Sequence, residues 1–271
     1  EDVIDDGTYI ECNGSFDLVT PPINCWNKSG HGSLEIRGAI EQSCNVFFNM
    51  VGYQAGMNDQ DEFSENLSLS KLQRYASEFG LDKKTGIELS EGTPHVSDIN
   101  AVPSYIGQGN HLYSTSQLAR YATALATSGT VYDLSLLDKV TDSEGQTQKV
   151  YEPSVENEMT DVPDNVWADI QDGMYRVIQT HSEFSGLGVS LAGKTGTAEI
   201  DYYQPNHGLF IGYAPAGHPH YPTAVRFPTA FSSGNACTTA NDIVKYIFGL
   251  ADEDTILTGY ASTDVSNTST D

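Results

Sequence analysis

Two short stretches of this chain carry residue types that could perform acyl transfer together: Lys194-Thr195-Gly196-Thr197 and, far earlier, Ser43-Cys44-Asn45. Lys194 offers a compact ammonium that can pair with a carboxylate and lower the proton affinity of a neighbour. Gly196 has no side chain, so a substrate backbone can approach and pair with the strand. A main-chain N–H at Thr197 can serve an oxyanion. Ser43 can shuttle a proton, and the Asn45 amide can both donate and accept hydrogen bonds. Taken singly, each triplet is ordinary: a lysine on a solvated strand, and a serine and an asparagine beside a buried cysteine. Ser233-Gly234-Asn235 repeats the second pattern and reads as a loop and helix cap.

The elements that hold these residues decide between readings. Gly188 to Thr195 spells G-x-x-x-x-G-K-T, a phosphate-cradling loop, but that loop works only ahead of a helix. Gly196, Thr197, Ile200, Tyr202, Tyr203 and Pro205 make a poor helix, so the segment is predicted to be a strand. Lys194 and Gly196 then share one face, and Thr195 and Thr197 the other. Ser43 and Asn45 lie two apart, so a continuous helix would point them in nearly opposite directions. They can serve one cleft only if the helix breaks there.

Around them, residues 1–30 read as extended and loop-like. Ser33 is expected to cap a helix with Ile36, Ala39, Ile40, Cys44, Phe47, Phe48 and Val51 inward. Leu72, Tyr75, Ala76 and Phe79 mark a second helix ending at Gly80, and Leu118, Tyr121, Ala122 and Leu125 a third ending at Gly129. A strand pair is predicted over 130–152, then a helix capped by Asp164. Three strands follow at 190–201, 207–214 and 222–231, and a capping box at Thr239 precedes a last helix over 243–250. Helices first, then consecutive strands and a closing helix, predict an α+β fold: an antiparallel sheet flanked by helices, with a helical lobe. Residues 1–260 are expected to form one domain, and the Ser-, Thr- and Asp-rich 261–271 a disordered tail.

With 37 acidic side chains against 13 basic, the net charge of −24 disfavours nucleic acid and anionic membranes as partners. No apolar run is long enough for a membrane helix. Cys12, Cys25, Cys44 and Cys237 contain no Cys-x-x-Cys pair, and no histidine stands at zinc-ligand spacing, so no structural metal and no cofactor is expected. Cys12 and Cys25 read equally well as a bridge or as two free thiols; Cys44 and Cys237 read as buried small residues.

The two triplets, in this order, resemble motifs of the transpeptidase domain of class B penicillin-binding proteins. Gly30-His-Gly-Ser with Ala39-Ile-Glu-Gln-Ser-Cys-Asn-Val-Phe-Phe is similar to the family's Ser-x-Asn segment. So are Phe79-Gly-Leu, Thr85-Gly-Ile-Glu-Leu, and Ile106-Gly-Gln-Gly ahead of the Ser-Gln-Leu-Ala-Arg helix. Ala192 to Glu199 and His207-Gly-Leu-Phe-Ile-Gly-Tyr-Ala-Pro complete a likeness spanning roughly residues 7–250, closest to the cell-elongation type.

The resemblance implies a β-lactamase-like fold and a peptidoglycan D,D-transpeptidase that acylates on D-Ala-D-Ala stem peptides and is the target of β-lactams. It places the protein on the outer face of the bacterial cell membrane, with glycosyltransferase and elongation proteins as partners. Carried over by motif, Ser43 relays protons, Asn45 binds the substrate amide, and Lys194, Thr195 and Thr197 hold the terminal carboxylate beside Gly196. The family's nucleophile lies in a Ser-x-x-Lys motif ahead of Ser-x-Asn. Here the only such pattern is Ser68-Leu-Ser70-Lys71, which follows Ser43 and is expected to cap a helix. The chain is therefore expected to begin past its nucleophile and to be inactive alone. Rival readings are a β-lactamase or carboxypeptidase, and a non-catalytic receptor sensing β-lactams or muropeptides.

Overall fold

The structure, a computed structural model, describes residues 3–198 and 205–257. The chain opens with four short strands, β1 (Ile10–Cys12), β2 (Ser15–Phe16), β3 (Ile23–Asn24) and β4 (Gly32–Leu34), paired β1 with β4 and β2 with β3. Two helices follow, α1 (Ile36–Glu41) and α2 (Asn45–Ala55). Ile10, Phe16, Ala39, Val46 and Phe47 bury one core between these strands and helices, with Cys12, Cys25 and Cys44 inside it. The apolar stripe of residues 36–51 thus folds as helix, but broken into two, and Glu35 rather than Ser33 caps its start.

Helix α3 (Glu65–Glu78), the short α4 (Ala101–Ser104) and α5 (Thr115–Ala126) come next. Ser114 and Gln117 form a reciprocal capping box on α5. Four strands then run out along the surface: β5 (Thr130–Tyr132), β6 (Lys139–Thr141), β7 (Thr147–Val150) and β8 (Val155–Glu158). The pair expected within 130–152 divides, because β5 reaches past it to β8, while the turn at Asp142–Gly145 closes the separate β6–β7 ladder.

Helix α6 (Asp164–Thr180), a 3-10 turn (Ser182–Phe184), the strands β9 (Ala192–Ala198), β10 (His207–Ala214) and β11 (Tyr221–Phe227), and helices α7 (Gly234–Ile247) and α8 (Glu253–Ile256) complete the order. Pro163, not Asp164, is the N-cap of α6, since its fixed φ suits a helix entrance. Thr239 lies inside α7, which begins nine residues earlier than the apolar run suggested, with Ser233 at its N-cap.

The three long strands make an antiparallel sheet in the order β11-β10-β9. Alternation gives it two apolar faces. Phe210, Val225 and Ala214 pack against Ala236, Ala240 and Val244 of α7, while Ala192 and Tyr213 pack against Trp167, Met174 and Val177 of α6. The α+β architecture expected from the order of elements is the one observed. Residues 199–201 of the first expected strand and the tail at 261–271 lie outside the described residues.

Candidate active site and an adjoining thiol cluster

The helix break between Ser43 and Asn45 is a C-terminal capping motif. Ser43 N–H donates to Ile40 O at 3.2 Å and Cys44 N–H to Ala39 O at 3.0 Å, which closes α1 with Gln42 as its cap. That motif needs a left-handed residue after the cap, normally glycine. Here Ser43 takes it, at φ +50°. A non-glycine residue in that region carries about 1–2 kcal/mol of strain, the sort of strain that collects at functional sites. Cys44 then stands at the N-cap of α2, and Asn45 is its first residue.

Lys194 arrives from the three-stranded sheet. It lies on β9, which among the described residues pairs only with β10, placing the strand at the sheet edge. Lys194 opposes Ile211, on the face that packs toward α6. Its Nζ donates to Ser43 Oγ at 2.9 Å and to Thr195 O at 2.9 Å. Two residues 151 positions apart in the sequence therefore share one hydrogen bond. Thr195 opposes Phe210 on the α7 face and is buried, while Gly196 and Thr197 are half-buried further along the edge. A Cβ at Gly196 would meet only ordinary contact, 3.5 Å from Leu209. Among the described residues nothing demands glycine there, which leaves space for something laid along the strand. Lys194 to Ala198, where a phosphate loop would open its helix, are strand, so the phosphate-loop spelling has no structural counterpart.

The contact is held by neighbours that spacing does not reveal. Arg37 of α1 donates through Nε to Asp169 of α6 at 2.8 Å. Gly173 of α6 lets α1 come so close that a Cβ there would sit 2.8 Å from Ile40 Cβ. On the far side, Trp26 Nε1 donates to Gln42 O at 2.9 Å, and Asn45 Nδ2 to Asn24 O at 3.3 Å. Ser43 is thereby gripped from both flanks.

The Ser-x-x-Lys pattern is corrected in its role. Ser64 caps α3, with its side chain accepting from Leu67 N. Ser68 sits inside the helix, fully buried, and donates to Gly52 O at 2.7 Å, while Ser70 turns back to Leu67 O. Buried in this way, the Ser68 hydroxyl cannot attack a bound carbonyl.

Three cysteines group in a way their spacing did not suggest. Cys12, Cys25 and Cys44 are thiols rather than half-cystines, and with His31 they converge so that their donor atoms lie within 4.8 Å of one another. His31 Nδ1 is 3.5 Å from Cys12 Sγ and 3.6 Å from Cys25 Sγ. The Cys25 thiol is pushed well below the usual range, first by its hydrogen bond with Cys44 and then by the N–H groups of Asn27, Asn45 and Val46; the Cys44 thiol is pushed up by the same contact and by burial. Such a set can hold a soft divalent cation. The missed signal is the spacing C-x12-C-x5-H-x12-C, whose outer intervals are equal.

Comparison with known proteins bears on the fold and the family. The chain is 26% identical to peptidoglycan D,D-transpeptidase MrdA of Haemophilus influenzae, over 91% of this chain and 41% of that protein. It is 29% identical to penicillin-binding protein 2B of Streptococcus pneumoniae, over 83% of this chain and 37% of that protein. It thus spans about two fifths of the length of these relatives. Among solved structures, penicillin-binding protein A of M. tuberculosis as its imipenem acyl-enzyme superposes with a TM-score of 0.75 at 19% identity, over 92% of this chain and 56% of that one. Pseudomonas aeruginosa PBP2 in complex with WCK 5153 gives 0.74 at 20% identity, over 98% and 57%. These likenesses fix the fold as that of penicillin-binding transpeptidase domains. Residues 1–248 match the family model of the penicillin binding protein transpeptidase domain, and the chain belongs to that family.

Proposed function

We propose that this chain supplies the Ser-x-Asn and Lys-Thr-Gly walls of a peptidoglycan D,D-transpeptidase site, with the attacking serine provided by sequence outside these 271 residues. One observation carries the reading: the 2.9 Å contact between Lys194 and Ser43, which joins two motifs 151 residues apart in the sequence. The names of the curated relatives favour a transpeptidase over a sensing receptor.

In this reading the D-Ala-D-Ala end of a stem peptide pairs along the open edge of β9. The Lys194 ammonium and the hydroxyls of Thr195 and Thr197 receive its terminal carboxylate, and the missing side chain of Gly196 admits its backbone. Asn45 binds the amide of the penultimate residue. The serine oxygen adds to the penultimate carbonyl carbon as its proton passes, by way of the lysine of its own Ser-x-x-Lys segment, toward Ser43, and the Thr197 N–H takes the developing oxyanion. As the C–N bond breaks, Ser43, polarised by Lys194, passes a proton to the departing D-Ala amine. An acceptor amine then attacks the acyl ester, loses its proton by the reverse relay, and regenerates the serine. A β-lactam carries its carboxylate and strained amide to the same positions.

Substrate chemistry places this site outside the cytoplasmic membrane; no helix among the described residues is long and apolar enough to cross one. A glycosyltransferase and elongation proteins remain the proposed partners, in line with neighbours solved as a complex of Helicobacter pylori PBP2 with MreC and as a peptidoglycan synthase complex. The test is labelling with a fluorescent penicillin. This chain alone stays unlabelled. A longer form carrying a Ser-x-x-Lys segment is acylated, and Lys194→Ala slows that acylation by about 10²-fold or more. Strong labelling of this chain alone, or full-rate labelling of the Lys194→Ala form, overturns the assignment.

A further inference from the structure

We propose that Arg226, braced by the His207 ring, is an anion subsite that takes a carboxylate on the side chain of the stem-peptide residue preceding D-Ala-D-Ala. The subsite deepens the function proposed above and rests on it.

The other arginines of the chain are engaged within the fold. Arg37, Arg74 and Arg176 meet the carboxylates of Asp169, Glu78 and Asp172, and the buried Arg120 binds backbone carbonyls. Arg226 is exposed on β11 and, among the described residues, meets no carboxylate. It meets the His207 ring instead, with Nη2 3.0 Å from Nε2. In a chain of 37 acidic and 13 basic side chains, an arginine without a carboxylate is the exception.

The histidine is suited to bracing that guanidinium. An arginine offers only donors, so Nε2 accepts and the ring proton sits on Nδ1. Nδ1 is buried and has no partner among the described residues, so the ring forgoes its second hydrogen bond in holding the arginine. Burial, and then Arg226 itself, push the His207 pKa down, which keeps the ring neutral and the pair free of mutual repulsion. The rest of the guanidinium is a rigid fork of donors matched to a carboxylate.

The sheet carries this pair to the site. Directly opposed residues of an antiparallel sheet share a face, as do alternate residues of one strand. Lys194 opposes Ile211, Gly196 opposes Leu209 and Ala198 opposes His207, while Leu209 also opposes Arg226. Lys194, Gly196, Ala198, His207 and Arg226 therefore stand on one face. The β9 residue between the open edge and His207 is Ala198, whose side chain is a single methyl.

The path of the peptide follows from the roles given above. With its terminal carboxylate at Lys194 and Thr195 and its penultimate carbonyl at the Thr197 N–H, the chain runs on past Thr197 toward Ala198. The opposite direction is closed, because Ala192 and Gly193 are buried. The residue ahead of D-Ala-D-Ala thus arrives beside Ala198. A strand added to the edge of β9 lies two strand spacings, about 9–10 Å, from β10. A long side chain ending in a carboxylate crosses that distance to the guanidinium; one ending in an amine alone has nothing to offer it.

The test compares two acyl donors on a longer form carrying a Ser-x-x-Lys segment. Both are X-D-Ala-D-Ala, with X either lysine or lysine bearing an added carboxylate on Cε, and released D-Ala gives kcat/KM for each. We expect the carboxylated donor to be favoured about 10-fold, the low end for a hydrogen bond to a charged partner because the site is open to water. The preference should shrink as salt is raised. Arg226→Gln should abolish it, and His207→Ala should reduce it by freeing the guanidinium. Each ratio is taken within one protein, so partial loss of folded enzyme cancels. Equal use of the two donors by the wild type, or a preference that Arg226→Gln leaves intact, overturns the subsite. Penicillin labelling of the same form checks the function separately. A form that labels but shows no preference removes the subsite alone, and one that neither labels nor turns over removes the function and the subsite with it.

Discussion

Lys194 reaches Ser43 at 2.9 Å while Ser43 holds a left-handed backbone conformation that glycine would adopt without strain. The capping geometry would be served better by glycine; the lysine contact requires the hydroxyl. Stability and chemistry therefore pull apart at this position. Ser43→Gly relieves about 1–2 kcal/mol of left-handed strain and loses about 0.4–1 kcal/mol through a freer unfolded chain. Ser43→Gly should thus unfold in urea at or above the wild-type midpoint, whereas Ser43→Ala keeps the strain and does not. Both should slow β-lactam acylation in a longer form. A Ser43→Gly protein markedly less stable than wild type would show that the hydroxyl is structural.

Two glycines near the site should answer oppositely to the same substitution. At Gly173 an added methyl meets Ile40 Cβ at 2.8 Å and Cδ1 at 3.0 Å, so Gly173→Ala drives α6 from α1. Overpacking of this kind costs about 1–3 kcal/mol, and it displaces the turn that carries Ser43. Gly196→Ala finds its nearest contact at 3.5 Å and should leave the urea midpoint nearly unchanged. Its methyl occupies the face of β9 beside Lys194, so ligand binding suffers instead. Equal stability losses in the two variants would remove the reading of Gly196 as substrate space.

Local chemistry made much of this fold readable. β-branched, aromatic and glycine residues after Lys194 mark a strand, and the apolar stripe from Ile36 marks helix. The need for Ser43 and Asn45 to share a cleft demanded a break, and the break is there. What stayed hidden depends on distance along the chain. The Arg37–Asp169 pair spans 132 positions and has no local signature. Cys44 looked like an ordinary buried residue, and is one by exposure, yet its sulfur faces donors from β1, β3 and β4. The start of α7 at Gly234-Asn235 escaped because those residues are poor helix formers, and packing of Ala236, Cys237 and Ala240 on the sheet overrides that propensity.

Arg120 is almost wholly buried, and burial pulls its pKa down. Its guanidinium donates to the carbonyls of Gly80, Lys83 and Lys84, closing the segment after α3 onto α5. Gly80, at φ +69°, fits only because it lacks a Cβ, which would meet the guanidinium at 2.8 Å. Arg120→Met keeps most of the volume and strands those acceptors. At about 1–3 kcal/mol for each buried group left unsatisfied, the variant should lose roughly 3 kcal/mol or more in urea unfolding. A loss under about 1 kcal/mol would mean that water replaces the guanidinium there.

His111 should make the fold sensitive to mild acid. Its Nδ1 accepts from Ser97 N–H at 3.0 Å and lies 2.8 Å from Tyr113 Oη, and its Nε2 faces Ser104 O at 3.3 Å. That pattern suits a neutral ring, since a protonated Nδ1 could not accept from a backbone N–H. Burial accordingly lowers its pKa, with His95 adding to the effect and the Ser104 contact opposing it. A histidine whose folded pKa lies below its unfolded value of about 6.5 contributes nothing unfavourable above that value. As pH falls through it, the unfolded chain takes up a proton that the folded chain refuses, and stability drops by at most about 1.4 kcal/mol per pH unit for one such group. His207, also shifted down by burial and by Arg226, acts in the same direction. Unfolding free energy should therefore fall between about pH 6.5 and 5, ahead of the carboxylates, which titrate nearer pH 4. His111→Gln should flatten that slope, and the ring resonances of His111 should titrate below those of an exposed histidine. A His111 that protonates above about 6.5 in the folded protein would contradict the neutral ring.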